Sequence, residues 1–359
     1  MKKKVLLSAA NPQSFKNISI ICDSLDPSKF EFYFADFRDV YKQDFQLPPY
    51  ISKVLNFDGL KDSFYLKNSI GKIQLLIKLR RHFRRLEEDV HLCLLGDFGI
   101  LEYWLVRSVN PSKTLFIQDA ILLWPEKQSF FKRLRGFLYG FRPRYRLIDN
   151  IYCSGEATKK TLTLDGANAE IIKTVGIPRF KDGMKLRKRS YDGGTIEILI
   201  IGASYTWHGR DDLQKKQAQF LNKIDQNPKE NVRYNFRIHP RDFDNYEFKN
   251  IKIQHSKEMT LKDSIEENHL VVSYQFPSTI IFELMNLDVP CIFVESNKID
   301  YSFMTSWEEF KKVFNTIDED NFLEIDLVPL IRNHFYAAEA SKGFFSTDFL
   351  LDEILEAFK

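Results

Sequence analysis

The chain has 359 residues, with 52 basic and 49 acidic side chains and a formal net charge of +3, too near neutrality for a protein that grips nucleic acid through overall charge. With 44% hydrophobic and 28% charged residues it is a globular chain, long enough for two cores, and chain-wide disorder is excluded. The 32 Phe and 15 Tyr are explained first by core packing.

The opening run Val5–Ala9 follows three lysines and stops at Asn11-Pro12, too short for a signal-peptide core. It predicts a buried parallel strand. Phe15–Leu25 predicts a crossover helix and Phe30–Ala35 a second strand. A long helix is expected over Ser69–Glu88, then strands at His91–Leu95, Thr114–Ile117 and Ile151–Ser154. Composition shifts over 181–195, which reads as a linker rich in Lys, Arg and Gly. A second alternating series follows: strand Ile196–Gly202, helix Asp212–Gln226, strands Tyr234–Ile238, Ile251–Ile253 and Leu270–Ser273, helix Thr279–Leu287, strand Pro290–Val294, and a terminal helix over Thr347–Phe358. The expected fold class is therefore α/β, two Rossmann-like domains facing across a cleft, with boundaries at 1–180, 181–195 and 196–345. Residues 346–359 form a C-terminal helix, read as crossing back to the first domain.

The cysteines, Cys22, Cys93, Cys153 and Cys291, have no CxxC spacing, and three lie in predicted strands. Neither a zinc site nor a disulfide framework is expected, and a reducing, cytoplasmic setting fits. No window has the apolar length of a membrane span.

Ligands of open α/β sheets bind outside the carboxyl ends of the strands, so post-strand residues carry the candidate chemistry. His239-Pro240-Arg241 ends one strand, and Pro240 blocks a helix there. The imidazole and guanidinium suit a phosphate, although a lone His-Pro also reads as a strand cap. Gln275 follows another strand, with Ser278 and Thr279 at a helix start and Glu283 one turn inside. Helix-start amides and hydroxyls suit an anion, and Glu283 suits a ribose hydroxyl. Gly202 and Ser204, in Ile201-Gly202-Ala203-Ser204, allow close backbone approach by a diphosphate or sugar; an ordinary turn has the same composition. In the first half, Asp97 and Asp119 each follow a strand, placing a carboxylate where it serves as a general base or as a helix cap.

The combination resembles bacterial glycosyltransferases with two Rossmann-like domains, the GT-B architecture. Ser154-Gly155-Glu156 and Val175-Gly176-Ile177-Pro178-Arg179 look like the segment that closes the first domain of such enzymes. His239-Pro240, with Ser278-Thr279 following 39 positions after His239, looks like the paired motifs of CMP-sugar-using sialyltransferases, polysialyltransferases and capsule Kdo transferases. That resemblance implies a sialic acid or Kdo-type sugar moved from a CMP-activated donor to a hydroxyl of a surface glycan. The first domain would hold the acceptor and the second the nucleotide sugar. Asp119 would be the base, with Asp97 in reserve, and His239, Ser278 and Thr279 would grip the leaving phosphate without a metal or other cofactor. Gln118 and Ala120 depart from the acidic and glycine positions flanking that base. The alternatives are a UDP- or GDP-sugar or CDP-polyol donor, and a non-catalytic glycan- or nucleotide-binding protein.

Basic residues recur at helical spacing over 72–88 and cluster over 127–146. Either stretch reads as a solvated face or as a peripheral contact with the inner face of the cytoplasmic membrane, where a lipid-linked glycan acceptor would sit. No nucleic-acid partner is expected.

Overall fold

Val5, Leu6 and Leu7 have no exposed surface, and alternate members face different cores. Leu6 packs with Tyr33, Cys93, Leu95, Phe116 and Ile151, whereas Val5 and Leu7 pack with Phe34, Leu94, Leu115, Ile117 and Tyr152. A strand covered on both faces must be apolar at every position, which explains the continuous runs.

The computed structural model describes residues 2–41, 43–57, 77–78, 81, 89–118, 145–178, 186–187, 189–206, 210–240, 242, 244–275, 280–281, 284, 287, 289–297, 299–301, 304, 307–332 and 349–358. The chain divides into two units, Met1–Asp182 with Lys342–Lys359, and Gly183–Ser341. Each is a Rossmann-like α/β domain, and together they make a two-domain fold of GT-B type with a C-terminal helix.

The first unit has a seven-stranded sheet. Its strands are β1 (Lys3–Ser8), β2 (Phe30–Asp36), β3 (Ile51–Asn56), β4 (Leu92–Leu95), β5 (Lys113–Ile117), β6 (Asn150–Cys153) and β7 (Ile172–Thr174). The order β3-β2-β1-β4-β5-β6-β7 is parallel throughout, so strand order reverses between β1 and β4. The second unit contains β8 (Ile196–Ile201), β9 (Val232–Arg237), β10 (Ile251–Gln254), β11 (Leu270–Tyr274), β12 (Cys291–Glu295) and β13 (Thr316–Asp318). Its order is β10-β9-β8-β11-β12-β13, again parallel, with the reversal between β8 and β11. A doubly wound sheet opens a crevice at such a reversal, at the carboxyl ends of the strands.

The terminal segment belongs to the first unit. Leu350 N donates to Val175 O at 2.9 Å, and helix Leu351–Leu355 with the following turn buries Ile354 and Phe358 against the core that holds Val5, Leu7 and Tyr152. Lys3 and Lys113 donate to the carbonyls of Phe358 and Ala357, at 3.3 and 3.0 Å. Two ammonium groups thus satisfy the last carbonyls of a C-terminal turn, which its dipole favours.

Candidate functional site

In the second unit, the exits of β9, β8 and β11 lie side by side. Gly202 follows β8, and its N–H continues the ladder to Arg237 O at 2.9 Å. A Cβ there would stand 2.8 Å from the Phe236 ring and 3.0 Å from the Arg237 carbonyl. The glycine is therefore demanded by its neighbouring strand, a packing reason separate from ligand approach. Ser204 is buried. Tyr205 closes the reversal itself: its hydroxyl donates across to Tyr274 O, the last residue of β11, at 3.1 Å.

His239 is half-buried, two residues past β9, and Pro240 beside it is exposed. Ile238 N bonds Gln254 O at 3.1 Å and Asp242 N bonds His239 O at 2.8 Å, so the backbone carrying the imidazole is held on both sides. Arg237 is a structural cation: it is buried and donates to Met259 O at 2.9 Å and Ser264 Oγ at 2.7 Å. Gln275, directly after β11, is fully buried at φ +67°, a left-handed conformation that a residue with a Cβ adopts only at a cost of roughly 1 kcal/mol. Its N–H reaches Val294 O at 3.0 Å and its Nε2 reaches Leu213 O at 3.2 Å, while its Oε1 is buried without a hydrogen-bond partner. Strained backbone of this kind concentrates at functional sites. Arg241, Ser278, Thr279 and Glu283 lie outside the described residues.

At the corresponding edge of the first unit, Asp97 Oδ2 accepts the Ala10 N–H at 2.8 Å. This bond joins the exits of β1 and β4 across the reversal of strand order. Gly96 is again forced, since a Cβ would stand 3.0 Å from Ser14 O. Asp119 lies outside the described residues; Gln118 before it donates to Tyr152 O at 2.8 Å.

Sequence reasoning missed Glu102, in the first turn of helix Ile100–Val109 and fully buried. Its Oε2 accepts the Gly99 N–H at 2.9 Å, and the Tyr41 hydroxyl donates to its Oε1 at 2.9 Å. Glu102 supplies only the returning half of a capping box, its carboxylate accepting the Gly99 N–H, and a carboxylate three positions past a helix-start residue is the signal that points to it. Burial raises the pKa of this carboxyl above its ordinary 4.5. The folded state therefore holds its proton more tightly than the unfolded chain, and its contribution to stability declines as pH rises above about 4.5. Glu102→Gln is expected to melt higher than the parent at pH 8 and to shrink that advantage at pH 5, measured by thermal unfolding across pH.

The four cysteines are buried and free; burial pushes the Cys153 thiol up to about 12. Among the described residues, no group of three or more His, Cys, Asp or Glu side chains is placed to hold a metal ion, and no helix is long and apolar enough to cross a membrane. Of the two basic stretches, 72–88 and 127–146, only residues 77, 78, 81, 145 and 146 are described. Arg146 donates to the Tyr103 hydroxyl and lies over its ring, 5.7 Å from the centroid.

No protein-family model and no curated protein matches this sequence. Solved structures match its fold. A Listeria monocytogenes protein described as a UDP-N-acetylglucosamine 2-epimerase aligns with TM-score 0.60 at 11% identity, over 100% of this chain and 96% of that one. The Methanocaldococcus jannaschii UDP-GlcNAc 2-epimerase, solved with UDP-GlcNAc and UDP, aligns with TM-score 0.55 at 13% identity, over 99% of this chain and 100% of that one. The Anabaena protein HepE, solved with UDP and glucose, aligns with TM-score 0.54 at 12% identity, over 100% and 99%.

These likenesses correct the assignment drawn from His239-Pro240 and Ser278-Thr279. The three structures named above are described by their UDP-GlcNAc or UDP, and none by CMP, so the reading as a CMP-sugar sialyltransferase, polysialyltransferase or Kdo transferase falls. The physical reason is plain. A His-Pro after a strand, and a Ser-Thr pair further along the sequence, are residue types suited to holding phosphate. They carry nothing that distinguishes one nucleobase from another.

Proposed function

We propose that the chain is an enzyme acting on a UDP-activated sugar, held at the carboxyl edge of the second sheet. The observation that carries this reading is the meeting of three strand exits, bearing Gly202–Tyr205, His239 and Gln275, at the reversal of strand order between β8 and β11. Uridine is supported by the fold shared with proteins solved with UDP bound.

In this reading His239 donates to a diphosphate oxygen. Ser278 and Thr279 add donors, Glu283 accepts from the ribose, and Arg241 adds charge. As the bond between the anomeric carbon and the diphosphate oxygen breaks, negative charge builds on the departing UDP. Donors already aimed at that oxygen lower the barrier by roughly 3 kcal/mol each. Asp119, with Asp97 in reserve, is the base for the acceptor hydroxyl of a glycan or lipid-linked glycan. No metal is needed where hydrogen-bond donors neutralise the leaving group, so EDTA should leave turnover unchanged.

Titration calorimetry with UDP, GDP and CMP tests the assignment. UDP is expected to bind at least tenfold more tightly than the others, about 1.4 kcal/mol. Equal or tighter binding of GDP or CMP would remove uridine from the account and leave the fold untouched. Incubation with UDP-sugars then separates transfer, which frees UDP only with an acceptor present, from isomerisation of the sugar.

A further inference from the structure

Helix Asp211–Gln226 follows the β8 loop, and Gln214 and Gln217 are buried on its inner side. Gln217 Oε1 accepts the Ala203 N–H at 2.9 Å, and its Nε2 donates to Ala203 O at 3.2 Å. One turn earlier, Gln214 Oε1 accepts the Tyr205 N–H at 3.0 Å. Its Nε2 donates to Asp242 Oδ2 at 2.9 Å and to the Tyr246 hydroxyl at 2.8 Å. That hydroxyl also receives Gln217 Nε2 at 3.3 Å and donates to Asp242 Oδ2 at 2.9 Å. Asp242 completes the chain: its Oδ1 accepts the Asp244 N–H at 3.1 Å and its own N–H bonds His239 O.

Hydrogen bonds therefore run without a break from the loop after β8, through two amides, to the loop that carries His239. The residue type is dictated by this geometry. At 214 the side chain accepts from one backbone N–H and donates twice, to a carboxylate and a hydroxyl, the one-acceptor, two-donor pattern of a carboxamide. A glutamate at 214 would face Asp242 in a buried place, with like charges in contact. Buried networks of this kind fix a unique arrangement when every member is satisfied.

We propose that Gln214 and Gln217, with Asp242 and Tyr246, form a buried clasp that locks the β8 loop to the His239 loop. They are positioning residues, and through them the two loops bind a ligand as one unit. The functional half of this proposal rests on the UDP site above; the clasp itself does not.

Amide hydrogen exchange on the ligand-free chain tests the clasp first. Gln214→Leu is expected to speed exchange about tenfold or more at residues 203–205 and also at 242–244. Gln214→Glu should not restore the parent pattern. Tyr246→Phe, which removes one hydroxyl and folds more safely, should show the same two-loop pattern more weakly. Acceleration confined to 203–205 would overturn the proposal, because the second loop would then be held independently. UDP affinity tests the consequence: Gln214→Leu should weaken binding, and the double variant with His239→Ala should lose little beyond His239→Ala alone. Fully additive losses would contradict coupling. Should the parent bind no UDP, the functional reading fails, while the exchange result still decides the clasp.

Discussion

His239→Ala is expected to lower turnover of a UDP-sugar about 10²–10³-fold, the usual loss for one donor aimed at developing charge. The fall should appear in kcat more than in KM, since the donor acts most strongly when the diphosphate oxygen carries its full charge. His239 is placed by backbone: Ile238 is paired to Gln254, Asp242 N holds the His239 carbonyl, and Pro240 prevents the chain from continuing as a helix. The variant should therefore keep its fold, and its melting temperature should stay near that of the parent. His239→Gln retains an N–H donor and should recover part of the loss. Steady-state kinetics beside a melting curve decides the point, and turnover within threefold of the parent would exclude His239 from the chemistry.

The largest effect on stability should come from the far end of the chain. Ile354→Ala is expected to cost about 2–5 kcal/mol, the range for deleting a buried branched side chain from a core that cannot close over the gap. Ile354 is fully buried in the core holding Val5, Leu7, Phe34 and Val175, beside a partly buried Leu351 and Leu355. Its segment is anchored at both ends, by Leu350 N on Val175 O and by Lys3 and Lys113 on the last carbonyls. Denaturant unfolding followed separately in the two units should move the first-unit transition and leave the second in place. A change below about 1 kcal/mol would mean that the terminal segment only decorates the surface.

The strands that position the site were legible because burial on both faces writes itself as unbroken apolar runs, as in Leu92–Leu95 and Leu270–Tyr274. Edge strands lacked that signature. In Ile51–Asn56 only Leu55 is buried, and Thr316–Asp318 is short and partly exposed; both close the rim of a sheet. Helix Ile100–Val109 went unread because seven of its ten residues are buried, which erases the polar stripe that helical periodicity depends on. Post-strand positions such as His239 and Gln275 could be marked in advance, since sheet topology alone brings them to one edge. What could not be read was their support. Gln214 and Gln217 are neutral amides in a helix otherwise rich in Lys, Asp and Gln, where they look like solvated surface. Their partners lie far along the chain, so only the folded structure shows the clasp. The donor nucleotide was misread for a related reason, since the motifs used report phosphate and not base.

The UDP titration read residue by residue through hydrogen exchange tests the central claim most directly. Saturating UDP should slow exchange at 202–206, 239, 242 and 275, at the three strand exits at the carboxyl edge of the second sheet. Protection appearing instead around the cavity of about 420 Å³ at the opposite edge, lined by Arg233, Lys249 and Lys252 among others, or no protection in the second unit at all, would contradict it.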